Sequence, residues 1–593
     1  MSTTKVSVSF WRIFWPSLIA SMILSLLGWI FWLIVLGGLF SETPEIKQTA
    51  VLHLQLNGEI AERADKSFNS TTFAMNNKIG LAELIKGLDE AAADKSVKGL
   101  YLELGNVSCG YATAYELRQA IHDFTKSGKF VVAYLTGEMV TKKQYYIASA
   151  ASEVYGFENT AMEFVGLGAE LMFFKKTFDK LGLEMQVIRG SNNDFKSAVE
   201  PYFRENMSDS SRLQVNRYLQ SIWNDMVKDI AKDRKLPAAK LNDIAENVRV
   251  ARMDDALKYK LIDGIKYRDE VEELVAKKAE LKDLSQLMAF EKYAKKVFDV
   301  EQMNISTDEA NVAVVTAEGA ISVDGDEMTS KEICKHLREV RLDKNIKAVV
   351  FRINSPGGSA LASEEIWREA NLIAQSKTLV VSMGDLAASG GYYIATPAET
   401  IFAEPTTITG SIGVFGVIPF TGAMLENNLG LTFDRVQTHS HSVLSLNRRL
   451  SPDEMARVQN EVDAIYSQFK KRVADGRGMT SAQVEVVARG RVWTGTDALR
   501  IGLVDKIGGL QDALAYATKA AKVKEAVVRH YPKVKEDPFA EIIEKIEEQE
   551  SDATMKIKRT KTPKVIDEAL EKFAKLDAWT GIQMRMPYEI IFR

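Results

Sequence analysis

Asp343-Lys344-Asn345-Ile346-Lys347-Ala348-Val349-Val350-Phe351 reads as a charged turn running into a wholly apolar strand, and the chain contains this pattern twice. The first occurrence is Asp94-Lys95-Ser96-Val97-Lys98-Gly99-Leu100-Tyr101-Leu102, aligned without a gap. A β-rich run with no polar face suits a strand covered by helices on both sides of a parallel sheet. Helical patterns precede both copies, around Leu84 and Leu88 in one and Ile333 and Leu337 in the other. Further upstream, Ala50-Val51-Leu52-His53-Leu54 with Gly58 and Ile60 matches Val312-Ala313-Val314-Val315 with Gly319 and Ile321. Downstream, Gly137 to Ala151 aligns with Gly384 to Ala398 through a shared Tyr-Tyr-Ile-Ala, and Arg249 to Asp263 aligns with Arg491 to Asp505. Five blocks in one order identify a tandem duplication of an α/β unit of about 230–250 residues.

The rest of the chain is arranged around that duplication. At 593 residues it is too long for one core. Residues 47–300 form the expected first repeat, ending in a charge-rich connecting helix over 268–300, and residues 301–530 form the second. Residues 531–593 are a charged extension, acidic over Glu541–Glu550, basic over Lys556–Lys564 and amphipathic over Val565–Trp579. Residues 1–46 hold the N-terminus and a membrane anchor: Pro16 to Phe40 is a stretch of 25 residues without a charge. At about 1.5 Å per residue it crosses a hydrocarbon core of about 30 Å. Lys5 and Arg12 precede it and Glu42 and Glu45 follow, which places the N-terminus in the cytoplasm and the remainder outside. A cleavable signal peptide would have a shorter apolar region and a small-residue cleavage site, which Gly37-Gly38-Leu39-Phe40 supplies poorly.

Composition excludes little but excludes it clearly. A net charge of -4 gives no electrostatic reason for nucleic-acid binding. Cys109 and Cys334 are the only cysteines, so no disulfide framework can be argued; the two either form a single bridge or stay as free thiols. No metal or organic cofactor is called for. His439-Ser440-His441 lacks the further ligands a metal would need.

Differences between the copies locate the chemistry. In Val380-Val381-Ser382-Met383-Gly384-Asp385-Leu386-Ala387-Ala388-Ser389-Gly390-Gly391-Tyr392 a strand ends at a helix mouth, with small residues around one hydroxyl. Ser389 is there either as a helix cap or as a nucleophile. The same corner of the first copy holds Lys142. The first copy has instead Gly190-Ser191-Asn192-Asn193-Asp194-Phe195-Lys196-Ser197-Ala198-Val199-Glu200-Pro201, with Leu444 falling opposite Lys196 in the second copy. Lys196 is either a surface lysine in a polar loop or, if buried and neutral, a general base. Asn354-Ser355-Pro356-Gly357-Gly358-Ser359 follows a strand in the second copy alone; it is either a tight turn or a set of amides for an oxyanion.

Taken together, these stretches and Thr409-Gly410-Ser411-Ile412-Gly413 resemble the signal peptide peptidase A (protease IV) family in its long, duplicated form. The resemblance runs from the anchor to about residue 530. It implies serine–lysine peptidases on a Clp protease/crotonase-like β-α superhelix, with Ser389 as nucleophile and Lys196 as general base. It also implies Gly357, Gly358 and Gly390 as oxyanion donors, and Ser411 as the residue orienting the lysine. The implied substrates are cleaved signal peptides and other apolar peptides. The implied assembly is a homotetramer held in the bacterial cytoplasmic membrane, with its catalytic part on the extracytoplasmic side. Val414, Phe415 and Ile418 are either core or the walls of a specificity pocket. Two other functions compete: a membrane-anchored scaffold that binds peptides without cutting them, and a crotonase-like acyl-CoA enzyme.

Overall fold

The computed structural model describes residues 22, 50–69, 74–294, 309–325, 328–533 and 581–585. Apart from Met22, the expected anchor over 16–40 lies outside them, as do the acidic, basic and amphipathic stretches of the tail. Among the described residues, no helix is long and apolar enough to cross a membrane. From Ala50 onward the described residues form one compact unit.

Each copy builds an eight-stranded sheet around the repeated apolar strand. In the first, Val97–Ser108 lies between Ala50–Ala61 and Phe130–Leu135, all parallel. In the second, Ala348–Ser355 lies between Val312–Glu318 and Thr378–Ala388, again parallel. Val349, Val350 and Phe351 are fully buried, as a strand with helices on both faces requires. The preceding helices are amphipathic: Leu84, Ile85 and Leu88 are buried on Leu81–Ala93, and Ile333, Leu337 and Val340 on Ser330–Leu342.

The repeated sequence blocks carry repeated hydrogen bonds. Tyr145 of the first Tyr-Tyr-Ile-Ala donates its hydroxyl to the Leu261 carbonyl at 2.8 Å, and Tyr392 of the second donates to Leu503 at 2.8 Å. Asp263 accepts from the Val154 amide and pairs with Arg234; Asp505 accepts from the Ile401 amide and pairs with Arg477. The duplication is thus visible in bonds as well as in sequence.

Two elements depart from expectation. The helix expected over 268–300 stops early: Arg268–Lys278 is helical, but Leu287–Ala289 is a strand parallel to Ala50–Ala61, with Val51 opposite Leu287. The physical reason is an open edge. Ala74–Gly80 pairs with Ala50–Ala61 only at Ile60 and Ala61, so the ladder beside Val51 to His53 is completed by the later segment. The second departure is Gly581–Arg585, a strand inside the charged extension. Cys109 and Cys334 are free and half-buried.

The two copies are fastened at the strands that lead to the candidate site. Asp385, on Thr378–Ala388, accepts the amides of Ala112 (2.8 Å) and Thr113 (3.0 Å) and so caps the helix Tyr111–Lys126 of the other copy. Arg352, on Ala348–Ser355, is buried between Glu62 (2.7 Å) and Glu116 (2.8 Å), both from the first copy.

Candidate active site

A third, four-stranded sheet draws on both copies, in the order Gly357–Ser359, Gly581–Arg585, Phe415–Phe420, Glu184–Arg189. Phe415–Phe420 and Glu184–Arg189 pair antiparallel over six positions, from Phe415 opposite Arg189 to Phe420 opposite Glu184. The loop after Arg189 carries Lys196, and the turn before Phe415 carries Ser411, so this pairing brings the two together.

The lysine loop is fixed by bonds to the second copy. The Gly190 amide donates to the Val414 carbonyl at 3.0 Å, Asn193 Nδ2 to the same carbonyl at 3.2 Å, and the Phe195 amide to Arg489 at 3.0 Å. From behind, Gln214 of the helix Asp209–Asp233 donates to the Phe195 carbonyl (3.0 Å) and to Ser197 Oγ (2.7 Å). Glu200 accepts the Ser208 amide at 3.0 Å. Gly490 lets the lysine in: a Cβ there would stand 2.5–2.7 Å from the Cβ, amide nitrogen and Cα of Lys196, and its φ of +77° favours glycine.

Ser389 precedes the helix Gly390–Ala395 but does not cap it, since its side chain makes no cap bond. Its backbone sits at φ 56°, ψ -113°, a strained conformation for a serine that concentrates at functional sites. The Ser389 amide donates to Gly410 and its carbonyl accepts from Tyr393, both at 2.8 Å, and these bonds hold the strain.

The centre is a buried cluster. Lys196 Nζ lies 2.8 Å from Ser389 Oγ, 3.0 Å from the Ser411 carbonyl and 3.0 Å from Ser411 Oγ. All three side chains are fully buried. Burial alone holds the Lys196 ammonium well below the usual lysine range. A neutral amine has two N–H groups and one lone pair, which together match the three oxygens around Lys196 Nζ. Ser411, itself at φ 50°, lies 3.4 Å through its hydroxyl from the Gly490 carbonyl. Gly357, at φ +93°, comes close to Gly390: a Cβ on it would lie 2.6 Å from the Gly390 amide nitrogen. The Gly357 amide donates to Ser355 Oγ at 3.1 Å.

In the first copy, Lys142 at the equivalent corner is buried against Glu163 at 2.8 Å, an ion pair where the second copy has a serine. Val414 and Phe415 are fully buried core residues, while Ile418 is half-buried at the edge. His441 lies 3.1 Å from Glu454, and among the described residues no cluster of ligands suits a metal ion.

Comparison with known proteins decides the family. The model for peptidase family S49 matches residues 123–282 and again 371–524, one stretch in each copy. The chain belongs to peptidase family S49. A model for Clp protease also matches residues 308–408, which hold the Pro-Gly-Gly turn and Ser389. This S49 peptidase is 33% identical to Protease 4 of Salmonella typhi, over 76% of this chain and 74% of that protein. It is 32% identical to the chloroplastic serine protease SPPA of Arabidopsis thaliana, over 81% of this chain and 70% of that protein. It is 32% identical to Protease 4 of Haemophilus influenzae, over 82% and 81%. The S49 chain is a serine peptidase of mixed α/β fold with a duplicated domain.

Gly490, Asn193 and Gln214 were not singled out by sequence. Gly490 had a signal: it precedes the matched Arg491, where the first copy has Val248 before Arg249. Asn193 and Gln214 act through contacts between distant segments and carried none.

Proposed function

We propose that this peptidase is an endopeptidase in which Ser389 attacks the substrate carbonyl and Lys196 moves the proton. The observation that carries this reading is the buried 2.8 Å approach of Lys196 Nζ to Ser389 Oγ. Neutral Lys196 takes the serine proton as Oγ bonds to the carbonyl carbon. The amides of Gly358 and Gly390 stabilise the oxyanion, and Gly357, whose own amide is engaged by Ser355, keeps the approach clear of a side chain. The protonated lysine then protonates the leaving amine. Water, deprotonated by the same lysine, hydrolyses the ester. Ser411 orients the amine, and no cofactor enters.

The substrates in this reading are cleaved signal peptides and other apolar peptides. The 25 uncharged residues of 16–40 would anchor the protein in the bacterial cytoplasmic membrane, N-terminus inside and catalytic part outside, as a homotetramer. Each copy would be a crotonase-like β-α superhelix.

The test is labelling with a serine-reactive phosphonate, located by peptide mass spectrometry. Modification at Ser389 that disappears in Lys196→Ala is expected. Modification of another serine, with Ser389 untouched in active protein, would overturn the assignment.

A further inference from the structure

The helix Asp209–Asp233, which backs the lysine loop, has a counterpart in the second copy, Pro452–Arg477. Each is capped by a serine, Ser208 or Ser451, whose side chain accepts the amide three residues on. Each closes on an arginine paired with an aspartate, Arg234 with Asp263 and Arg477 with Asp505. The two helices therefore align without a gap, and six residues past the cap they differ. The first has Gln214, 1% exposed; the second has Arg457, whose side chain is 84% exposed and pairs with Glu461. The copy that supplies the lysine buries an amide where the copy without it carries a surface charge.

A buried amide side chain persists where its polar atoms are satisfied, and the partners of Gln214 are informative. Nε2 donates to the Phe195 carbonyl at 3.0 Å and to Ser197 Oγ at 2.7 Å, so both its hydrogens go to the residues flanking Lys196. Oε1 accepts the Val492 amide at 3.3 Å. Val492 stands opposite Gly410, where Val492–Thr494 pairs with Ile408–Gly410, and the adjoining Arg491 carbonyl accepts the Ser411 amide at 2.7 Å. One side chain thus spans from both neighbours of Lys196 to the segment that holds Ser411.

We propose that Gln214 is a positioning residue: it clamps both neighbours of Lys196 to Val492 and so sets where the amine lies between Ser411 and Ser389. This rests on the roles proposed for Lys196 and Ser389. The loop also keeps its bonds from Gly190, Asn193 and Phe195 to the second copy, so loss of the clamp loosens the lysine without releasing it. A displacement of about 1 Å costs on the order of a hundredfold in rate. Burial alone depresses the lysine, so water admitted behind a loosened loop raises its pKa.

The experiment measures kcat and KM on a fluorogenic apolar peptide across pH, with circular dichroism to give the folded fraction of each variant. Gln214→Met keeps the length of the side chain without its hydrogen-bond donor. It is expected to lower kcat at the alkaline plateau about ten- to a hundredfold, to leave KM within about twofold, and to move the acid limb to higher pH. Arg457→Met, at the same place in the other copy, is expected to leave all three unchanged, and an equal loss there would overturn the proposal. Wild-type kcat and acid limb in folded Gln214→Met would also overturn it, as would a loss of kcat that only tracks the unfolded fraction while the limb stays in place. Should Gln214→Met not fold, Gln214→Glu carries the test, because it keeps an acceptor for Val492 and Ser197 and lacks only the donor to Phe195. Its plateau kcat is expected to fall, and a wild-type plateau would overturn the proposal. Cleavage undiminished in Lys196→Ala or Ser389→Ala would instead overturn the proposed roles.

Discussion

Lys196 Nζ lies 2.8 Å from Ser389 Oγ, although 193 residues of chain separate them and each belongs to a different copy of the repeat. Neither copy holds both groups: the first has Lys142 paired with Glu163 at the serine's corner, and the second has Leu444 at the lysine's sequence position. The pairing of Phe415–Phe420 with Glu184–Arg189 makes one site from the two.

Activity should rise with pH. Burial depresses the Lys196 pKa, and only the neutral amine accepts the serine proton, so kcat/KM should increase as pH rises through the lysine's depressed pKa. The same shift sets a stability trend. The unfolded chain binds a proton at this lysine up to about pH 10.4, so folding is opposed increasingly as pH falls below that value. Lys196→Met should therefore raise the thermal midpoint at neutral pH, by an amount that shrinks as the pH approaches 10. A gain that does not change with pH would indicate packing instead.

Ser411→Ala removes one of the two oxygens that hold the amine. A lost hydrogen bond of about 1–3 kcal/mol in a buried site corresponds to a fall of about ten- to a hundredfold in kcat. The hydroxyl oxygen favours the charged amine more than the neutral one, so its loss should also shift the acid limb of the pH–rate profile to lower pH. A purely structural role would leave that limb in place.

Gly490→Ala should damage the site and the fold together. The new Cβ would meet the Lys196 backbone at 2.6–2.7 Å and force a left-handed φ on alanine. A loss of about 1–3 kcal/mol in chemical denaturation is expected, with kcat falling more than KM rises. Unchanged kcat would show that the loop tolerates the displacement.

Arg352→Met should cost about 3–5 kcal/mol by leaving Glu62 and Glu116 buried without their partner. Adding Glu62→Gln and Glu116→Gln should recover part of that loss in denaturation measurements.

Much of this was legible in the sequence because the duplication exposed it. The apolar runs at Val349–Phe351 and Leu100–Leu102 gave the sheets, and the mismatch of Lys142 with Ser389 showed where one copy had changed. What stayed hidden depends on contacts between distant segments. A helix was expected over Leu287–Ala289 because local charge is helix-compatible; the open edge beside Val51 made it a strand. Ser389 looks like a helix cap until its backbone angles are seen. Gly581–Arg585, between a mixed-charge stretch and the C-terminus, shows no strand pattern of its own; the two edges it fills define it.

The proposed chemistry depends on Lys196 acting as the base for Ser389. Its most direct test is the kcat of purified, folded Lys196→Ala on an apolar peptide. A fall on the order of 10⁴-fold or more is expected, matched by Ser389→Ala and not deepened in the double variant, because the two groups act as a unit. Cleavage by Lys196→Ala at the wild-type rate would contradict it.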